Sequence, residues 1–84
     1  MDALGVDLSL ARQFGSVLSV ARKRCGISQQ ALAMDAGLDR TYISLLERGL
    51  RQPSLNSIFA IADALGVQPS KLIREVERIR KQSN

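Results

Sequence analysis

Glycines and capping residues cut this chain into five short apolar-periodic segments, none of which alternates as a strand does. The first runs from about Leu8 to Arg24. In it Leu10, Phe14, Val17, Leu18 and Ala21 recur at helical spacing, which puts them on one face expected to be buried. Asp7 or Ser9 is placed to cap its start, Arg22, Lys23 and Arg24 suit the negative end of its dipole, and Gly26 is placed to stop it. The second segment begins at the N-cap Ser28, runs from Gln29 to Ala36 and stops at Gly37. Asp39 caps the third, which runs from Arg40 to Arg48 and stops at Gly49. After the loop Leu50-Arg51-Gln52-Pro53, Ser54 caps a fourth segment that carries Leu55, Ile58, Phe59, Ile61, Ala62 and Leu65 and ends at Gly66. The fifth starts near Pro69, a residue suited to a first helical turn, and runs to about 81. Leu72, Ile73, Val76 and Ile79 line one side of it, and the tail from Lys81 is expected to fray.

Five helices without strands make an all-α chain, and 84 residues suffice for one small domain with a thin core. No linker, repeat or low-complexity tract divides it. The net charge of +4 favours an anionic partner. Three aromatics, Phe14, Tyr42 and Phe59, are too few for the stacking platforms of a single-strand binder. With one cysteine and no histidine, neither an internal disulfide nor a Cys/His zinc site can form, and the composition suits a reducing cytoplasm. Cys25 is expected to act as a small buried hydrophobe. No run is long and apolar enough for a membrane span, and the acidic start MDALGVDLSL does not fit a signal peptide.

The second and third segments are joined only by Gly37-Leu38-Asp39, the length of the turn in a helix-turn-helix. Ala33 is small where two steeply crossing helices must approach, and Gly37 can take positive φ in the turn. Leu32, Leu38, Ile43 and Leu46 take inward positions, which leaves Arg40, Thr41, Tyr42 and Ser44 facing out. A major groove admits one such helix, and its base edges carry distinct donor and acceptor patterns. Arg40 can grip guanine O6 and N7, Thr41 a base or a thymine methyl, and Ser44 a base or a phosphate. Tyr42 offers a hydroxyl for phosphate and a ring for the groove wall. Gln29 stands at a helix N-terminus, where anions bind, and Arg48, Arg51 and Gln52 follow the third segment as phosphate clamps.

The run Ser28-Gln29-Gln30-Ala31-Leu32-Ala33, then Ala36-Gly37-Leu38, Ile43-Ser44-Leu45-Leu46-Glu47-Arg48-Gly49, Pro53-Ser54-Leu55 and Ala62-Asp63-Ala64-Leu65-Gly66-Val67 resembles the Cro/CI-type (XRE-like) helix-turn-helix family over about Val17 to Leu72. Within it, Asp39-Arg40-Thr41-Tyr42-Ile43-Ser44 with Glu47-Arg48 and Arg51 is similar to the controller proteins of restriction–modification systems. The resemblance implies a compact five-helix, lambda-repressor-like fold. It implies a regulator that binds a pseudo-palindromic operator in double-stranded DNA as a homodimer, with RNA polymerase as a further partner and no cofactor. It puts Gln29 on phosphate and Arg40, Thr41 and Ser44 on bases. It pairs Arg22 with Glu47 as support for the reading helix. Leu45 departs from the pattern, because some phage repressors carry a base-reading glutamine there and leucine offers only an apolar contact.

Two readings compete for Leu72, Ile73, Val76 and Ile79: internal packing, or a two-fold contact that lets a dimer read two half-sites. An alternative function is a protein-interaction module, an antitoxin or anti-repressor on the same fold, but Arg40, Thr41 and Ser44 do not favour it. No carboxylate pair, phosphate loop or metal cluster supports an enzyme.

Overall fold

The computed structural model describes residues 8–82, and these form five helices and no strand. They are α1 (Leu8–Arg24), α2 (Gln29–Ala36), α3 (Arg40–Glu47), α4 (Leu55–Leu65) and α5 (Pro69–Gln82). Three starts are fixed by side-chain caps. Ser28 accepts from the Ala31 N–H, Asp39 from the Thr41 N–H and Ser54 from the Ser57 N–H, each satisfying a donor the helix cannot. Such a cap contributes about 1 kcal/mol. Helix α1 begins at Leu8, so Ser9 lies inside its first turn instead of capping it. Asp7 falls outside the described residues.

Helices α1 to α4 end in one shared manner. A glycine is followed by an apolar residue whose N–H returns to the carbonyl five positions back: Ile27 to Arg22, Leu38 to Ala33, Leu50 to Leu45 and Val67 to Ala62, at 3.5, 2.9, 2.9 and 3.0 Å. Ile27, Leu38 and Val67 then pack onto the core, pinning each turn to the body of the protein.

Helix α1 packs on α3 and α5, α2 on α3 and α4, and α4 on α5. Leu18, Leu32, Ile43, Leu46 and Ile61 are fully buried between them, joined by Phe14, Val17, Ala33, Ala62, Leu65, Leu72 and Val76. Removing a side chain such as Leu46 from so tight a core would cost about 2–5 kcal/mol.

Several expectations are corrected. Leu10 is 36% exposed while Ala11 is fully buried, because the buried face of α1 runs through Ala11, Phe14, Gly15 and Leu18. Leu55 and Phe59 flank the buried stripe of α4 and face solvent. Cys25 is exposed in the turn after α1 and is not a buried hydrophobe, with its Sγ donating to the Leu65 carbonyl at 3.7 Å. Helix α5 extends through Lys81 and Gln82, and the rest of the tail expected to fray, Ser83 and Asn84, lies outside the described residues.

The stripe on α5 also divides. Leu72 and Val76 are 3% and 5% exposed within the single chain, and Ile79 packs against the same core. Leu72 and Val76 therefore have no surface left to give a second copy, and the assignment of these two to a dimer interface is withdrawn. Ile73 sits about 100° further round the helix and faces out.

Candidate nucleic-acid interface

The turn Gly37-Leu38-Asp39 joins α2 to α3 as the spacing predicts. Ala33, 2% exposed, and the half-buried Leu38 hold the two helices together. Ile43 and Leu46 point into the core from α3, which fixes its opposite face outward. On that face Arg40, Thr41 and Arg48 are exposed, and Ser44 and Leu45 are half-buried. The helical period brings Thr41, Ser44, Leu45 and Arg48 into one strip, with Arg40 at its leading end.

What holds this strip at a fixed angle is a polar cluster behind it. The Arg22 Nε donates to Glu47 Oε2 at 2.6 Å, and its Nη2 donates to Oε1 at 3.0 Å. The remaining Nη1 donates to the Ile27 carbonyl at 2.9 Å, tying the pair to the turn before α2. The two side chains are only 12% and 7% exposed, so this forked contact is screened by water far less than a surface ion pair and is fixed in geometry by its two parallel bonds. Burial pushes the Glu47 carboxyl up, but the hydrogen bonds from Arg22 and Gln29, with the charges of Arg22 and Lys23, outweigh it and hold the group below its ordinary value. The hydrogen bond to Glu47 likewise pushes the Arg22 guanidinium up, against an opposing cost of burial. Among the described residues no buried side-chain polar atom is left without a partner.

Gln29 belongs to the same cluster. Its Nε2 donates to Glu47 Oε1 at 3.0 Å, so the first residue of α2 is held against the last residue of α3. An amide nitrogen carries two hydrogens, and this bond uses one.

Tyr42 joins α3 to the loop beyond it. Its hydroxyl accepts from the Ser54 N–H at 3.3 Å, and the Arg51 guanidinium lies 5.7 Å from the centroid of its ring. Arg51 and Gln52 are exposed beside it.

Three residues of this arrangement, Gly15, Arg12 and Leu50, carried no role in the sequence reading, and a fourth, Gly49, carried only that of a helix stop. Gly15 lies in the middle of α1, where glycine costs a helix about 1 kcal/mol. A Cβ there would collide with the Leu46 carbonyl oxygen and lie 2.8 Å from that of Glu47. Gly49 faces the same helix one turn earlier: a Cβ on it would lie 2.6 Å from the Arg12 Cγ, and its φ of +71° suits only glycine well. Backbone against backbone, α1 therefore clamps the end of α3, and exposed Arg12 lies beside the α3–α4 turn. A glycine interrupting an apolar face was the available signal for Gly15. Leu50 is 56% exposed in that turn.

Against known proteins, residues 18–72 match the family model described as helix-turn-helix. The control protein C.BamHI of Bacillus amyloliquefaciens is 46% identical over 57 residues, covering 68% of this chain and 70% of that protein. The control protein C.MunI of a Mycoplasma species is 37% identical over 67 residues, covering 79% and 90%. The crystal structure of the restriction-modification controller protein C.AhdI from Aeromonas hydrophila superimposes with a TM-score of 0.72 at 42% identity, covering 74% of this chain and 94% of that one. The buried Arg22–Glu47 support, the short turn and the outward strip of α3 thus occur in a chain whose matched span is that of established regulators. The chain belongs to the helix-turn-helix family and is a transcriptional regulator of the Cro/CI (XRE-like) type.

Proposed function

We propose that this regulator binds a pseudo-palindromic operator as a homodimer, each copy laying α3 in one major groove. The observation that carries the reading is the bond between Gln29 and Glu47. It locks the amide that faces a phosphate to the helix that faces the bases, so one docking geometry serves both. Arg40, Thr41 and Ser44 read base edges. Gln29, Arg48, Arg51 and Gln52 hold the backbone, and Tyr42 serves as the platform for Arg51 along the groove wall.

The two-fold contact lies on α4 and α5, on a face other than the buried stripe. Leu55, Phe59 and Ile73 are 71%, 52% and 44% exposed, and with Ile58 and Pro69 they line one shallow groove. Arg74 and Glu77 stand on its rim. A two-fold axis passing between Arg74 and Glu77 would set Arg74 of each copy opposite Glu77 of the other, so the patch can complement itself in charge as well as in apolarity. The control-protein relatives and the restriction-modification controller structure favour a regulator of restriction–modification genes, which we place in the cytoplasm and working through RNA polymerase.

Selection of bound sites from random duplex DNA tests this. The expected product is a sequence with two inverted half-sites about one helical turn apart. Recovery of no enriched sequence would contradict the proposal.

A further inference from the structure

Three of the four glycine-terminated turns use their apolar residue to pack on the core, and one does not. Ile27, Leu38 and Val67 are partly buried, whereas Leu50 is 56% exposed. The motif is otherwise the same, with the Leu50 N–H on the Leu45 carbonyl at 2.9 Å. In such a turn the apolar residue leans over the last turn of the helix, here the turn that holds Leu45. Leu45 lies one turn beyond Thr41 on the outward face of α3 and is itself half-buried. Exposed arginines stand on both sides of Leu50 in sequence, at Arg48 and Arg51.

The geometry points to a specific role for this exception: Leu50, with Leu45 beneath it, is an apolar contact to the operator that selects a thymine methyl at the far end of the recognition helix. This rests on the reading that α3 enters the major groove. Water covers Leu50 in the free protein, and a thymine C5-methyl is the one apolar group that base edges display in that groove. The flanking arginines draw phosphate to either side of the leucine, so binding of DNA brings a groove to it. Neither leucine can accept or donate a hydrogen bond, so the pair senses the methyl and no other feature of the base. It also gives Leu45 a task in a position where a glutamine would read by hydrogen bonds. A contact with a second DNA-bound copy is the competing use of an exposed leucine in this loop.

The test uses the full chain and the duplex recovered by selection from random DNA, with deoxyuridine replacing each thymidine in turn. Leu50→Ala trims a side chain that stays outside the core and should lower the melting temperature by only a few degrees, leaving the protein folded at assay temperature. It is expected to weaken operator binding about fivefold while sparing random duplex, as loss of one methyl contact would. One thymine in each half-site should lose affinity on replacement with the wild-type protein and lose nothing further with the variant. Leu50→Met, which keeps an apolar side chain, should retain most of the effect. The proposal is overturned if Leu50→Ala binds within twofold of wild type, or if no thymine shows this dependence on residue 50. It is also overturned if the variant alters only the loading of a second dimer on longer DNA. A selection that enriches no sequence overturns the groove reading itself, whereas enrichment with a neutral Leu50→Ala overturns the apolar contact alone.

Discussion

Arg22 and Glu47 join α1 to the end of α3 through two hydrogen bonds of 2.6 and 3.0 Å, almost wholly out of water. Glu47→Ala leaves a buried guanidinium with only the Ile27 carbonyl as partner. Breaking one side of such a pair costs about 3 kcal/mol. Urea unfolding should show this loss, and a difference under 1 kcal/mol would place the pair among ordinary surface contacts.

The same pair gives a pH dependence of known sign. The carboxyl of Glu47 is held below its ordinary value in the folded chain, so its ionised form contributes stability that is fully present above the normal carboxylate range. That contribution is lost as pH falls through the lowered folded value. Between neutral pH and the acid range, wild type should lose more stability than Glu47→Ala. Parallel acid-unfolding curves for the two proteins would contradict this.

At Gly15 the obstacle to a side chain is backbone. Alanine there would gain about 1 kcal/mol of helix propensity. It would also press on the carbonyls of Leu46 and Glu47, which cannot rotate aside. Overpacking of this kind costs about 1–3 kcal/mol, so a net loss is expected together with a displaced α3. Gly15→Ala should melt earlier and bind operator more weakly even at temperatures where it is fully folded. A stabilised protein with normal binding would show that α1 and α3 do not depend on this close approach.

Much of this arrangement was legible in the sequence, for particular reasons. Caps at Ser28, Asp39 and Ser54, and glycines closing the helices, act locally, so the element bounds could be read from the residues themselves. The pairing of Arg22 with Glu47 was legible through family resemblance, whereas the bond from Gln29 to Glu47 was not, because it depends on how α2 meets the end of α3. The arrangement of α5 was not legible, because Leu72, Ile73, Val76 and Ile79 are equally apolar and the positions of α1 and α4 decide which of them are covered. Gly15 and Leu50 escaped for the same reason, since a close helix crossing and an unfilled turn depend on partners far along the chain.

The exposed face of α4 and α5 makes a prediction about assembly. Phe59→Asp puts a charge in the middle of the groove without touching the core. Sedimentation should show dimers for wild type and monomers for the variant, with operator affinity reduced at least tenfold because one half-site is then bound alone. A variant that remains dimeric would move the interface elsewhere.

Phosphate contacts should appear in the salt dependence. Each of Arg48→Ala and Arg51→Ala is expected to lower the slope of log affinity against log salt by about one per copy, with similar losses on operator and random DNA. An unchanged slope would remove that arginine from the backbone clamp.

The reading role of α3 is tested most directly by Arg40→Ala, assayed on the selected operator and on random duplex at one salt concentration. Loss of a paired contact to guanine is worth about 1–3 kcal/mol per base pair. The ratio of specific to random affinity should therefore fall at least tenfold, while random binding changes only a few-fold. An unchanged ratio would contradict the account, since the helix that begins at Arg40 would then be holding the DNA without reading it.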